Sequence, residues 1–363
     1  MAEFRAAHAA GPWPAALELC LARLGPLPAD ALGFLYATDH HAGAFSAMVA
    51  RLRQATGVEQ WVGTVGFGIA GEDDEGGAVY FDEPAVAVMV AAIPGDGFRL
   101  FGAGAGAVPR SWLDAAQPGL AVIHGDPRRP GIAAGIAELA AATGAYFVGG
   151  LTASRNGFPQ LAGEVVEGAL CGALLAGTVP VAVGLSQGCS PIGPARSVTA
   201  AQGNVIQAID GEPALEVMFR DIAAMAEPSP QIFAALPVPG SEQRDYLVRP
   251  FAGFDRARGW LALPEPVEVG QPIRFARRDR AAAEEDLGRM LDGLAARVGD
   301  GRIRGGLYVS CLARGPHLFA RAGDELAMIR RRLGDFPMAG FFANGEICRD
   351  RLYTHTGVLT LFL

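Results

Sequence analysis

Lysine is absent: all 30 basic residues of this 363-residue chain are arginine. Schiff-base chemistry on a lysine amine and phosphate binding by a P-loop lysine are thereby excluded. Cysteine is sparse. Cys20, Cys171, Cys189, Cys311 and Cys348 are odd in number, widely spaced and never arranged as C-x-x-C, which suits neither a disulfide framework nor a structural zinc site. C-x-x-C-H is missing too, so covalent c-type haem is not expected. Long apolar runs are lacking: Ala85 to Ile93 is about half of what a membrane helix needs. No basic start leads into an apolar stretch, so no signal peptide is read. The expectation is a soluble, cytoplasmic protein with no membrane insertion. Positive charge is in deficit, with a net charge of −8, which argues against nucleic acid or an anionic membrane as partner.

Half of the residues are apolar and 19% are charged, the composition of a globular protein. The length exceeds what one core usually serves, so two domains are expected. Pro14 and Leu17, Leu19, Leu21 and Leu24 suggest a short helix in an N-terminal extension of residues 1–28.

Three later segments share one plan. The first opens with strand Ala31 to Tyr36, continues with a helix carrying Phe45, Met48, Val49 and Leu52 on one face, and stops that helix at Gly57. A second strand, Trp61 to Gly66, and a third, Ala85 to Ile93, follow. The second segment repeats this with Leu120 to His124, a helix through Ile132, Ile136 and Leu139 stopped by Gly144, then Tyr146 to Leu151 and Ala169 to Leu175. The third has Gly306 to Cys311, a helix through Leu326, Ile329 and Leu333 stopped by Gly334, then Pro337 to Ala343 and Gly357 to Leu363. A second glycine follows each helix stop by five or six residues, at Gly63, Gly149 and Gly340. Three matches of this kind argue for a repeated β-α-β-β unit. The expected fold class is α/β (mixed α+β): mixed parallel and antiparallel sheets with helices packed outside, the third strand returning antiparallel through a hairpin. Between the second and third units lies a β-rich connector, with strands at Val181 to Leu185, Val205 to Ile209, Tyr246 to Arg249, Trp260 to Leu263 and Pro272 to Arg277, and helices from Pro213 to Met225 and over 281–297. The boundary is placed near Pro194 to Val198, giving domains of 29–195 and 196–363.

Polar groups gather where these strands end. The first strands run into Thr38, Asp39, His40 and His41, into His124, Asp126 and Arg128, and into Cys311, Arg314 and His317; the second strands end at Gly66, at Gly150 to Ser154, and at Asn344 and Glu346. Strand ends of α/β proteins are where ligands bind. Each residue also has an ordinary reading: Arg314 as an ion-pair partner of Glu346, His124 as a structural histidine, Glu72 to Glu75 as a solvated turn. Phe101 to Ala107, F-G-A-G-A-G-A, lacks the spacing of a dinucleotide loop.

The stretches L-G-F-L-Y-A-T-D, W-V-G-T-V-G-F-G, Q-G-C-S-P-I-G-P, I-D-G-E-P-A-L-E, Y-L-V-R-P, S-C-L-A-R-G and G-F-F-A-N-G-E-I with Y-T-H-T-G-V-L-T-L resemble the FIST proteins, which pair an N-terminal with a C-terminal FIST domain. The likeness covers about residues 30 to 363. It departs at Glu346-Ile347-Cys348-Arg349, where the family motif usually closes G-E-I-G. The resemblance implies a sensory module for small ligands, amino acids among those proposed, coupled to signalling proteins such as a histidine kinase. Ligand-binding candidates are Cys311, Arg314, Asn344, Glu346, Arg249, Arg196, Thr38, Asp39, His124, Asp126, Gly66 and Gly150, with the arginines suited to a carboxylate and Asn344 and Glu346 to an amino group. A family subgroup implies a second possibility, a non-covalent haem b sensor of nitric oxide acting on a histidine kinase; His355, His317 and His124 are the axial candidates because each lies beside an apolar strand. A thiol enzyme using Cys311 is the third; otherwise no catalysis is expected.

Overall fold

The computed structural model describes residues 4–28, 30–93, 96–102, 107–225, 231–238 and 246–363. It divides into two compact bodies, Met1–Ser186 with Asp286–Leu363, and Gln187–Glu285.

The first body is three copies of one unit. Copy one runs β1 (Phe4–Ala10), α1 (Trp13–Leu24), β2 (Leu32–Thr38), α2 (Phe45–Thr56), β3 (Gln60–Gly66), β4 (Gly68–Asp73), β5 (Gly76–Phe81), β6 (Ala85–Ala91). Copy two runs β7 (Phe98–Phe101), α3 (Arg110–Ala116), β8 (Leu120–Gly125), α4 (Ile132–Thr143), β9 (Tyr146–Leu151), β10 (Pro159–Ala162), β11 (Glu164–Glu167), β12 (Leu170–Leu175). Copy three opens with β13 (Val181–Gln187). The chain then forms the second body: β14 (Cys189–Gln202), β15 (Val205–Ile209), β16 (Glu212–Pro213), α5 (Ala214–Ala223), β17 (Ile232–Pro237), β18 (Tyr246–Arg249), β19 (Gly253–Asp255), β20 (Trp260–Ala262) and β21 (Pro272–Arg278). It resumes copy three with α6 (Arg280–Val298), β22 (Gly305–Cys311), α7 (Asp324–Leu333), β23 (Met338–Ala343), β24 (Glu346–Cys348), β25 (Arg351–Tyr353) and β26 (Thr356–Phe362).

In each copy the first and second strands pair in parallel, β2 with β3, β8 with β9, β22 with β23. The third strand is antiparallel, as expected, but lies on the far side of the first: β6 on β2, β12 on β8, β26 on β22. The expected hairpin therefore does not join second and third strands. The hairpins that follow the second strands leave for another copy's sheet. β4–β5 of copy one extends β23 of copy three, β10–β11 of copy two extends β3 of copy one, and β24–β25 of copy three extends β9 of copy two. This exchange closes a ring of three sheets ordered β1-β6-β2-β3-β10-β11, β7-β12-β8-β9-β24-β25 and β13-β26-β22-β23-β4-β5.

The repeated glycines explain the register. Gly63 faces Leu35, Gly149 faces Ile123 and Gly340 faces Tyr308 across the parallel pairs. At each, a Cβ would stand 1.9 Å from the facing carbonyl oxygen, so no larger residue fits. Gly57, Gly144 and Gly334 end α2, α4 and α7 at φ 70, 70 and 82°, donating back to the carbonyls of Arg53, Ala140 and Arg330, as the sequence predicts.

Strands buried on both faces read as continuous apolar runs. Leu35, Ala37, Trp61, Val65, Val86, Val88 and Val90 pack with Phe45, Met48, Val49 and Leu52 of α2, which leaves Phe34, Tyr36 and Thr38 on the inner face. The boundary expected near 195/196 falls inside β14, because the second body is inserted within copy three. The Phe101–Ala107 stretch ends β7 at Phe101, while residues 103–106 lie outside the described residues.

Candidate functional site

Register places Tyr36, His124 and Val309 at equivalent inner-face positions, each one residue beyond the partner of a repeat glycine. They converge. Tyr36 Oη and His124 Nε2 are 3.2 Å apart, and Phe341 stacks on Tyr36 at 4.9 Å between centroids and tilts against His124 at 5.8 Å. Burial lowers the His124 pKa to about 3, so the ring is neutral, and its Nδ1 has no hydrogen-bond partner among the described residues.

Glu346 lies in the same row of its sheet as His124, with Gly150 between them. Its Oε2 accepts from Thr356 N at 3.0 Å and Thr356 Oγ1 at 2.8 Å, and Oε1 has no hydrogen bond of normal geometry. Burial raises this carboxyl to about 8 against the opposing effect of Thr356 and the neighbouring Cys311 thiol. Burial likewise pushes Cys311 well above the ordinary thiol range, the reverse of an activated nucleophile. Gly150 and Gly66 do not admit a ligand. A Cβ on Gly150 would lie 2.7 Å from Ala343 Cβ and 2.9 Å from Val309 Cγ1, and one on Gly66 would lie 2.7 Å from Phe342 O; the neighbouring sheet takes that space.

The remaining strand-end residues are tied into the fold, Thr38 and Asp126 within their own copies and Asp39 to the next. Thr38 Oγ1 accepts from Ala85 N at 3.0 Å. Asp39 takes a two-point hydrogen bond from Arg155, both at 2.9 Å, and burial of its carboxyl is outweighed by this arginine, so its pKa is lowered. Asp126 is held the same way by Arg128 and Gly168 N. By register Thr38, Asp126 and Cys311 are the equivalent positions.

Arg314 is fully buried, and its partner is Glu325, not Glu346: Nε donates to Glu325 Oε1 at 2.9 Å. Tyr308 Oη at 2.6 Å, Ser310 Oγ at 3.2 Å and Gly315 N at 3.2 Å complete the shell of Glu325. The guanidinium is thus committed internally. The Asn344 side chain is exposed. Arg196 and Arg249 belong to the second body, where Arg196 pairs with Asp221 and Asp210 and Arg249 donates to Glu265 at 2.8 Å.

A different feature is open to ligands. A cleft of about 1580 Å³ lies at the chain-start ends of β1, β22 and β23, lined by the turn Asp73 to Gly76, the last turns of α6 and α7, and Leu363. Arg5, Arg23, Arg302, Arg304, Arg330 and Arg332 face it together with Asp73, Asp74, Glu75 and Asp335. Most of these arginines are engaged: Arg5 with Leu24 O, Arg23 with Glu75, Arg304 over the Phe4 ring, Arg330 with Asp335 and Arg332 with Asp292. Arg302 is exposed and alone of the six has no partner among the described residues. Sequence reasoning missed this group because the residues flank strand starts and helix ends; the one signal was the clustering of Arg302 with Arg304 and of Arg330 to Arg332. Glu72, expected in a solvated turn, is buried in β4.

Haem does not fit the axial candidates. His124 is enclosed by Tyr36 and Phe341, His317 is exposed and meets the edge of Phe81, and His355 sits in a tight turn at φ 61°. Among the described residues no group of His, Cys, Asp and Glu is arranged to hold a metal ion, and no helix is long and apolar enough to cross a membrane.

The chain matches the FIST N domain over residues 31–212 and the FIST C domain over 214–349, and it belongs to the FIST family. FIST domains are generally sensory, ligand-binding domains of signal transduction. Among curated relatives, the uncharacterized protein Rv0628c of Mycobacterium tuberculosis is 35% identical over 215 residues, covering 55% of each chain. The uncharacterized protein Mb0898c of Mycobacterium bovis is 34% identical over 216 residues, again 55% of each. The chain spans about half the length of the curated relatives it matches.

Proposed function

We propose that this chain is a small-ligand sensor that signals through a partner protein, such as a histidine kinase, and that its ligand is an amino acid or another small carboxylate held in the arginine-lined cleft. The observation that carries the reading is Arg302, an exposed guanidinium without a partner on a wall that also presents carboxylates. A guanidinium grips a carboxylate at two points, and Asp74, exposed on the opposite charge, suits an ammonium group. Catalysis has no support here, since the Cys311 thiol is buried and its pKa raised.

Thermal-shift screening of the amino acids and of two- to five-carbon mono- and dicarboxylates tests this. At least one compound should raise the melting temperature, and the shift should be lost in Arg302→Ala. No shift from any compound overturns the reading.

A further inference from the structure

The three equivalent helices are not held alike. α2 sets Phe45, Met48, Val49 and Leu52 into its sheet, and α4 buries Ile136 and Ala140. α7 buries only Leu326 and Ile329 among apolar residues, and its ends are fastened by charge. At its first turn Glu325 is fully hydrogen-bonded by Tyr308, Ser310, Arg314 and Gly315.

Its last turn is fastened differently. Arg330 Nε donates to Asp335 Oδ1 at 3.0 Å and lies 2.9 Å from Oε1 of the buried Glu72. Among the described residues no donor is hydrogen-bonded to either oxygen of Glu72. Glu72 sits on β4, opposite Met338 of β23, on the face that α7 covers. One guanidinium thus serves two carboxyls, which repel each other, and the Asp73 carboxylate on the same strand adds a smaller repulsion. Burial, above all, raises the Glu72 carboxyl to about 7, against the pull of Arg330. A buried carboxyl left with an incomplete shell is costly. Arg330 and Asp335 also line the cleft, so the weaker fastening of α7 faces the place where a ligand would bind.

We propose that the last turn of α7 reports occupancy of the cleft: a ligand carboxylate draws Arg330 away from Glu72 and Asp335, and that turn loosens while Glu325 keeps the first turn seated. This rests on the cleft being the ligand site. It assigns Arg330 a positioning role for the output and makes α7 the surface that a signalling partner would find changed.

Hydrogen exchange of the full chain separates the two ideas. In Arg330→Gln, without ligand, the amides of residues 330–334 should exchange at least about tenfold faster than in wild type, which corresponds to about 1.4 kcal/mol. Amides in the first turn of α7 and in α2 should be unchanged. If Arg330→Gln does not fold, Arg330→Lys keeps the charge without the planar guanidinium whose Nε meets both carboxyls and should show the same pattern at smaller size. With malonate as probe, wild type should show the same local increase. Equal protection in the arginine variants overturns the fastening itself. Malonate that raises the melting temperature but leaves residues 330–334 unchanged or more protected overturns the coupling and leaves the ligand site standing.

Discussion

Tyr36 Oη meets His124 Nε2 at 3.2 Å, joining equivalent positions of two copies of the repeat. The other imidazole nitrogen has no partner among the described residues. Tyr36→Phe should therefore leave both ring nitrogens bare and cost about 1–3 kcal/mol, whereas Tyr36→Phe with His124→Phe removes donor and acceptor together and should recover much of that loss. Urea unfolding of the three variants gives the cycle. A double variant as unstable as the sum of the singles contradicts it.

Glu346 and His124 should give opposite pH dependences. The Glu346 carboxyl is raised from 4.5 to about 8, so its contribution is full below pH 4.5 and lost as pH rises through 8. His124 is lowered from 6.5 to about 3, so its contribution is full above pH 6.5 and lost as pH falls through 3. Glu346→Gln keeps the shape of the protonated acid. It should flatten the decline in stability between pH 5 and pH 8 and leave the acid limb as it is. Parallel profiles for variant and wild type would show that Glu346 does not hold its proton in the fold.

The three repeat glycines offer a test of the threefold plan. Gly63→Ala, Gly149→Ala and Gly340→Ala each place a methyl against a facing carbonyl. Each should cost about 3 kcal/mol or more, at the upper end of overpacking effects, and by similar amounts. One silent substitution would break the equivalence.

Arg314→Ala should cost about 3–5 kcal/mol, because it strands Glu325 in the interior. Arg314→Met with Glu325→Leu should cost less. Ligand-binding loss with full stability in Arg314→Ala would instead return this arginine to the ligand site.

Much of the fold is legible in the sequence because helix period, helix-ending glycines and buried apolar strands coincide three times over. The hairpins β4–β5, β10–β11 and β24–β25 are not. They are short and partly polar, and their partners lie in another copy, so no local pattern marks them. β1 is not legible either, since alanine dominates Phe4 to Ala10, and alanine favours helix and is depleted in strands. The strand-end polar residues are legible as a group but not in their use. Arg155 reaches Asp39 through the folded chain, and Glu325 reaches Arg314 from a helix whose pattern shows only its apolar stripe. The cleft arginines come together from four separate segments, and beyond the pairing of Arg302 with Arg304 and of Arg330 with Arg332 their spacing does not show it.

The most direct test is isothermal titration of the best-stabilising amino acid or small carboxylate into wild type, Arg302→Ala and Glu346→Gln. The cleft account predicts at least about tenfold weaker binding for Arg302→Ala, the loss of one charged hydrogen-bonded contact, and wild-type affinity for Glu346→Gln. Full affinity in Arg302→Ala with binding abolished in Glu346→Gln would contradict it and move the site to the strand ends.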